Sequence, residues 1–148
     1  MGLDQYAYAV RPNKANTDFE FVRETIEQVG ENDTITTESY VVIQEWRKHP
    51  NLQGWMNDLF DRKADAQGYA GHSGGFGEER VFNCQPIRLT WQDINDLESA
   101  VLSEALPNTQ GFFFGESHPD DKELDLEFIA EARKAMGGDY EVYYDSWW

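Results

Sequence analysis

Base is scarce in this chain. Its 148 residues hold twelve Lys and Arg against twenty-eight Asp and Glu, a formal net charge of −16. That balance excludes the broad positive surface that nucleic acid or an anionic membrane attracts, so direct binding to either is not expected. Cys84 is the only cysteine, so there is no internal disulfide, and between Phe82 and Ile87 it reads as a small buried hydrophobe. No apolar run reaches the ~20 residues of a membrane span. The start, Met1-Gly2-Leu3-Asp4, has neither the basic nor the apolar part of a signal peptide. These absences point to the cytoplasm.

Motifs for bound groups are missing too. Gly75-Phe76-Gly77-Glu78-Glu79-Arg80 fails as a dinucleotide fingerprint at its third glycine, and no phosphate-binding Gly-Lys-Ser/Thr run exists. His49, His72 and His118 form no i, i+4 pair, so no zinc site is indicated. Asp120, Asp121, Glu123 and Asp125 lack the spacing of a calcium loop, and a helix dipole alone explains acids in a first turn. No cofactor, metal or catalytic residue is expected. A Ser-His-Asp relay has no Gly-x-Ser-x-Gly turn to raise its nucleophile.

What is present suits a folded domain, because disordered acidic segments are poor in aromatics and this chain is 14% Phe, Trp and Tyr. Tyr6–Val10, stopped by Arg11-Pro12, predicts a strand. Phe19, Val22, Ile26 and Val29 recur at helical spacing, so a helix is expected before Asn32-Asp33 and a strand through Tyr40–Ile43. Pro50 suits a helix start, and Leu52, Trp55, Met56, Leu59 and Phe60 give that helix one apolar face. Gly68, Gly71, Gly74, Gly75 and Gly77 suggest a mobile loop over about 65–79. Val81–Leu89 reads as a strand. Thr90 and Asp93 then cap a helix that buries Ile94, Leu97, Val101 and Leu102 and stops at Pro107. A last helix, about Asp120 to Met136, buries Leu124, Phe128, Ile129, Ala132 and Met136 before Gly137-Gly138, and Tyr140–Trp148 is a final strand. The order implies an α+β fold, one domain over 1–148, with a mostly antiparallel sheet and three to four helices. Tyr143, Trp147 and much of Phe112–Phe114 are expected to be buried against the Trp55–Phe60 helix.

Two regions draw attention. Between Arg88 and Arg133 lie eleven acids and one base, Lys122. The second is a basic knot, Trp46-Arg47-Lys48-His49, where an indole beside a guanidinium suits an anion or a planar ring. The plain alternatives are a solvated acidic face, and an indole in the core with Arg47 and Lys48 paired to carboxylates.

Met1-Gly2-Leu3-Asp4, Trp46-Arg47-Lys48 with Trp55, Gly111-Phe112-Phe113-Phe114-Gly115 after Leu106-Pro107, and Tyr144-Asp145-Ser146-Trp147-Trp148 occur in that order. The set resembles a family of small uncharacterised proteins of bacteriophages and their bacterial hosts. Its members commonly begin Met-Gly-Leu-Asp-Met, carry Trp-Arg-Lys-x-Asn-x-Ile-His-x-Trp and Gly-Phe-Phe-Phe-Gly, and end in Tyr-Asp-x-Trp. Some marine-phage relatives carry a phosphoglycerate kinase label, but that enzyme is a far larger one of two domains, and 148 residues cannot hold both lobes. Gln53 stands where the family has His, and an amide does not titrate, so the exchange suits hydrogen bonding rather than acid–base work.

The resemblance and the charge together imply an acidic phage-type accessory protein of the host cytoplasm that binds a host or phage partner. That partner would be a basic protein surface, or a nucleic-acid-binding protein deceived by phosphate mimicry. The expected surface runs from Asp93 through Asp96, Glu98, Asp120, Asp121, Glu123, Asp125 and Glu127. The rival is a small-ligand site or enzyme using Trp46, Arg47, Lys48, Gln53, Phe113, Asp145 and Trp147, with Arg47 and Asp145 close together.

Overall fold

The computed structural model describes residues 2–30, 33–71, 80–111 and 114–148, with side chains described outside 25–29 and 33–37. Strand β1 (Asp4–Val10) alternates Gln5, Ala7 and Ala9 with Tyr6, Tyr8 and Val10. Residues two apart share a face, so one side of the strand is small enough for helices to approach and the other is aromatic. β1 pairs antiparallel with β4 (Tyr40–Arg47) on one side and with β6 (Glu141–Trp147) on the other. A short strand, β5 (Ile87–Leu89), adds to β6, giving the order β4-β1-β6-β5. The register of β1 against β4 shifts between Ala7 and Tyr8, passing over Ile43 as an extra residue.

Three helices are found among the described residues: α1 (Pro50–Gln67), α2 (Trp91–Leu102) and α3 (Asp121–Gly137). Pro50 occupies the first turn of α1 as expected. Thr90 and Asp93 form a reciprocal capping box at α2: the Asp93 N–H donates to Thr90 Oγ1 at 3.2 Å and the Thr90 N–H to Asp93 Oδ2 at 2.9 Å. α3 lies across β4, β1 and β6 and packs against α2. Helices and sheet share a core of Leu52, Met56, Phe60, Leu97, Phe128, Val142 and Tyr144. The far side of the sheet carries a smaller cluster of Tyr8, Val10, Phe21 and Tyr143, flanked by Tyr6 and Tyr40.

Several expectations need correction. No helix forms over the Phe19–Val29 stretch; an extended segment leads into a hairpin of β2 (Glu24–Val29) and β3 (Asp33–Glu38). Phe19 and Phe21 go to different clusters, one to the helix side and one to the far side, which is the period of extended chain rather than of a helix. The segment before Ile87 is not strand; Cys84 has φ 53° and is exposed, so it is no core residue. α1 runs on to Gln67, where Gly68 closes it in the left-handed region at φ 67°. The expected glycine-rich loop therefore begins later than 65, and its positions 72–79 lie outside the described residues. α2 stops at Leu102, well before Pro107, and leaves Leu102 exposed.

The C-terminal aromatics also divide differently. Strand alternation points Val142, Tyr144 and Ser146 to the helices and Tyr143, Asp145 and Trp147 away from them. Tyr143 is buried, but under Phe21 on the far side, with ring centroids 4.8 Å apart. Trp147, opposite Asp4 at the strand end, is 61% exposed. Tyr144 is the residue that meets α1, where its hydroxyl donates to Gln53 Oε1 at 2.6 Å.

Candidate functional site

The basic knot is taken apart by the backbone that carries it. Trp46 points inward from β4 and Arg47 outward, because they are adjacent on a strand. Lys48 then turns through φ 56° and lays its stem beside Gly115. Buried Trp46 donates its indole N–H to Asp125 Oδ1 at 3.0 Å and packs edge-on against Phe128. Arg47 is exposed and lies 3.9 Å from Asp4. Asp145 instead takes Arg23, 3.3 Å away, whose guanidinium sits 4.4 Å over the Phe21 ring. Arg23 was not foreseen, because no local motif links it to Asp145 across 122 positions. Phe113 lies outside the described residues. Gln53 is buried in α1, and Trp147 stands free of it on the other face of the sheet. The described members of the proposed ligand set thus do not converge on one cleft.

A polar hub forms at the start of α1 instead. His49 is 3% exposed; its backbone N–H donates to Gln5 Oε1 at 2.9 Å, and Gln5 Nε2 donates to the His49 carbonyl at 3.0 Å and to Tyr144 Oη at 2.8 Å. The Tyr144 hydroxyl donates to Gln53 Oε1, and Gln53 Nε2 donates to the Phe82 carbonyl at 3.2 Å. Gln53 therefore uses one acceptor and one donor, the same inventory as a neutral imidazole. Burial pushes the Tyr144 hydroxyl well above its ordinary value, with the Gln5 hydrogen bond opposing in part. It remains a neutral donor.

On the other side of His49, Nε2 lies 2.9 Å from Asp125 Oδ2 and Nδ1 lies 2.8 Å from Ser117 Oγ. A carboxylate only accepts, so Nε2 carries a proton and Nδ1 faces the hydroxyl. Ser117, His49 and Asp125 have the connectivity of a nucleophile, base and orienting acid, and they line a cavity of about 300 Å³ with His118, Asp121 and Lys122. Two contacts argue against that use. Ser117 Oγ accepts the Asn51 N–H at 3.1 Å, supplying the cap that His49 does not. The Asp121 carboxylate stands 3.5 Å from Nδ1, where it would repel a developing oxyanion. The relay is a staple joining α1, α3 and the loop between α2 and α3. Among the described residues no group of three or more His, Cys, Asp and Glu is arranged to hold a metal.

The acidic residues sort into two kinds. Asp93, Asp121 and Asp125 are buried: Asp93 takes Lys63 at 2.6 Å, Asp121 accepts the His118 N–H at 2.7 Å, and Asp125 serves His49 and Trp46. Glu98 is held by Arg133 at 2.6 Å, which lowers its pKa through that hydrogen bond, and Asp96 accepts from Gln92. Asp120, Glu123, Glu127 and Glu131 are exposed, and no described base pairs with them.

A second cavity, of about 290 Å³, lies beside α1 between Gln53, Gly54, Asn57 and Asp58 on the helix and Phe82, Pro107, Thr109, Phe114 and Trp148 opposite. It contains Gln53 and one phenylalanine of the 112–114 block, but none of the basic knot. Comparison with family models, curated proteins and solved structures finds no match. No described helix is long and apolar enough to cross a membrane.

Proposed function

We propose that this chain is a partner-binding accessory protein, of the phage type its motifs resemble, acting through the outer face of α3 on a basic protein surface. One observation carries the reading. Asp120, Glu123, Glu127 and Glu131 are spaced by 3, 4 and 4 residues, which puts four exposed carboxylates on one stripe. At 1.5 Å rise per residue the stripe is about 16 Å long, with charges roughly 4.5–6 Å apart. A DNA strand carries a charge about every 3.4 Å of axis, so one such row is too sparse to imitate a phosphate backbone closely. It suits lysines and arginines spread over a protein face. Because the four carboxylates have no described cationic partner, they keep their field for long-range steering.

Asp121 and Asp125 leave the proposed surface, since neutralising them would damage the core. The test uses the quadruple variant Asp120→Asn, Glu123→Gln, Glu127→Gln, Glu131→Gln in affinity capture from host lysate, infected and uninfected. The authentic partner should be lost from the variant and should elute as salt rises, since exposed charges are screened beyond about 8 Å at physiological ionic strength. With that partner purified, the variant should slow association more than it hastens dissociation. A partner held equally by both proteins and in high salt would refute the reading.

A further inference from the structure

We propose that the cavity beside α1 binds a small quaternary ammonium ion, an activity independent of the α3 stripe. Phe114 and Trp148 meet edge-on with ring centroids 5.3 Å apart at 78°, so two aromatic walls of the cavity stand at nearly a right angle, while Phe82 lines it with a buried ring already stacked on Phe60 and Tyr144. Ring faces are negative, and an aromatic corner of this kind recognises a cation that cannot donate hydrogen bonds. Asp58, exposed on α1, adds a full negative charge to the lining.

The polar lining favours the same ligand. Each of its polar side chains already spends one donor within the protein: Gln53 Nε2 on the Phe82 carbonyl, Asn57 Nδ2 on Asp61, Thr109 Oγ1 on the Pro107 carbonyl, and the Trp148 indole N–H on the Phe82 carbonyl. An anion entering here would face the Asp58 carboxylate and the negative ring faces. A cation would find what it needs.

The walls are also set in advance. Asn83 grips the backbone of Trp148 from both sides, accepting its N–H at 3.0 Å and donating to its carbonyl at 2.9 Å. Together with the indole bond to Phe82, this fixes a ring that is 39% exposed, so little side-chain ordering is left for binding to impose. Gly54 closes the other side, because a Cβ there would stand 1.9 Å from Thr109 Oγ1. The volume of about 290 Å³ lies at the small end for ligand pockets, matching a compact head group and little more.

The test titrates the purified chain, at fixed ionic strength, with choline and with its neutral carbon isostere 3,3-dimethylbutan-1-ol. The readout is the Trp148 indole N–H resonance, assigned through Trp148→Phe. Choline should move that resonance and bind about tenfold more tightly than the isostere. Asp58→Asn should weaken choline several-fold and leave the isostere unchanged; being an exposed substitution, it tests the site without risking the fold. A resonance that choline leaves unmoved, an isostere that binds as well as choline, or a choline affinity unaltered in Asp58→Asn would each overturn the proposal. The α3 quadruple variant should bind choline normally, which separates this site from the partner surface.

Discussion

Asp125 and Glu127 sit two residues apart on α3 and live in different solvents. Asp125 is 1% exposed and accepts hydrogen bonds from His49 and Trp46, while Glu127 faces water with no described partner. A buried carboxylate must be hydrogen-bonded at every oxygen, because desolvation costs more than any surface pair returns. An exposed one contributes little to folding and is free to act on other molecules. The same helix thus holds its fold together with one set of acids and addresses its surroundings with another. Residue counts cannot tell the two apart, but side-chain exposure can.

The sharpest way to break that comparison is to remove one member of each set. Asp125→Ala strips both Trp46 and His49 of their acceptor and should cost about 3 kcal/mol, the range for a buried hydrogen-bonded charge losing its place. Glu127→Gln should leave the denaturant midpoint where it was. Equal behaviour of the two variants in urea titrations would abolish the distinction.

Asp93 offers an intermediate case, buried but shared between the α2 cap and Lys63. Asp93→Ala should cost about 1–2 kcal/mol, and Asp93→Asn should recover part of it by keeping the cap acceptor. Circular dichroism on heating reads both.

Acid sharpens the contrast further. Burial alone would raise the Asp18 carboxyl, but hydrogen bonds from Gln67 and Arg88, with the charges of Arg88 and Lys63, hold it below its ordinary 3.8. A carboxyl lowered in the folded state stabilises the fold fully above about pH 4 and loses that contribution as pH falls through the folded pKa. Asp18→Asn should therefore flatten the stability profile below about pH 4 and lower it at neutrality. A profile of unchanged slope would mean that other carboxyls set the acid limb.

The smallest effect belongs to the outer stripe itself. Neutralising all four of its carboxylates should leave melting unchanged or slightly raised at low salt, through relief of like-charge crowding. Added salt should stabilise the native chain a little more than the variant. A marked loss of stability in the variant would show that these acids have a structural task.

Much of the scaffold was legible because its signals are local. Pro50, the Thr90–Asp93 box and the Leu52–Phe60 stripe each act within one or two turns. The Phe19–Val29 stretch failed because its apolar positions fit a helix by spacing, while the hairpin partner that decides otherwise lies further along the chain. The acidic sites were legible as charge and not as placement, yet part of that placement was readable. Asp121 and Asp125 extend the buried series Phe128, Ile129 and Ala132 backward at i, i+4, i+7, i+8 and i+11. The His49 hub could not be read, since Gln5, Ser117 and Asp125 reach it from 44, 68 and 76 positions away.

The place of β6 in the sheet has a kinetic meaning. Its partners are the first strand and a short late one, and Gln5 meets Tyr144 across 139 positions. β1 can pair early with β4, but its other edge stays open until β6 arrives. The entropy of closing so long a loop must be met before the sheet returns any energy. Folding should accordingly be slow for a chain this size, and a waiting β1–β4 pair with a bare aromatic edge is the species most exposed to misassociation.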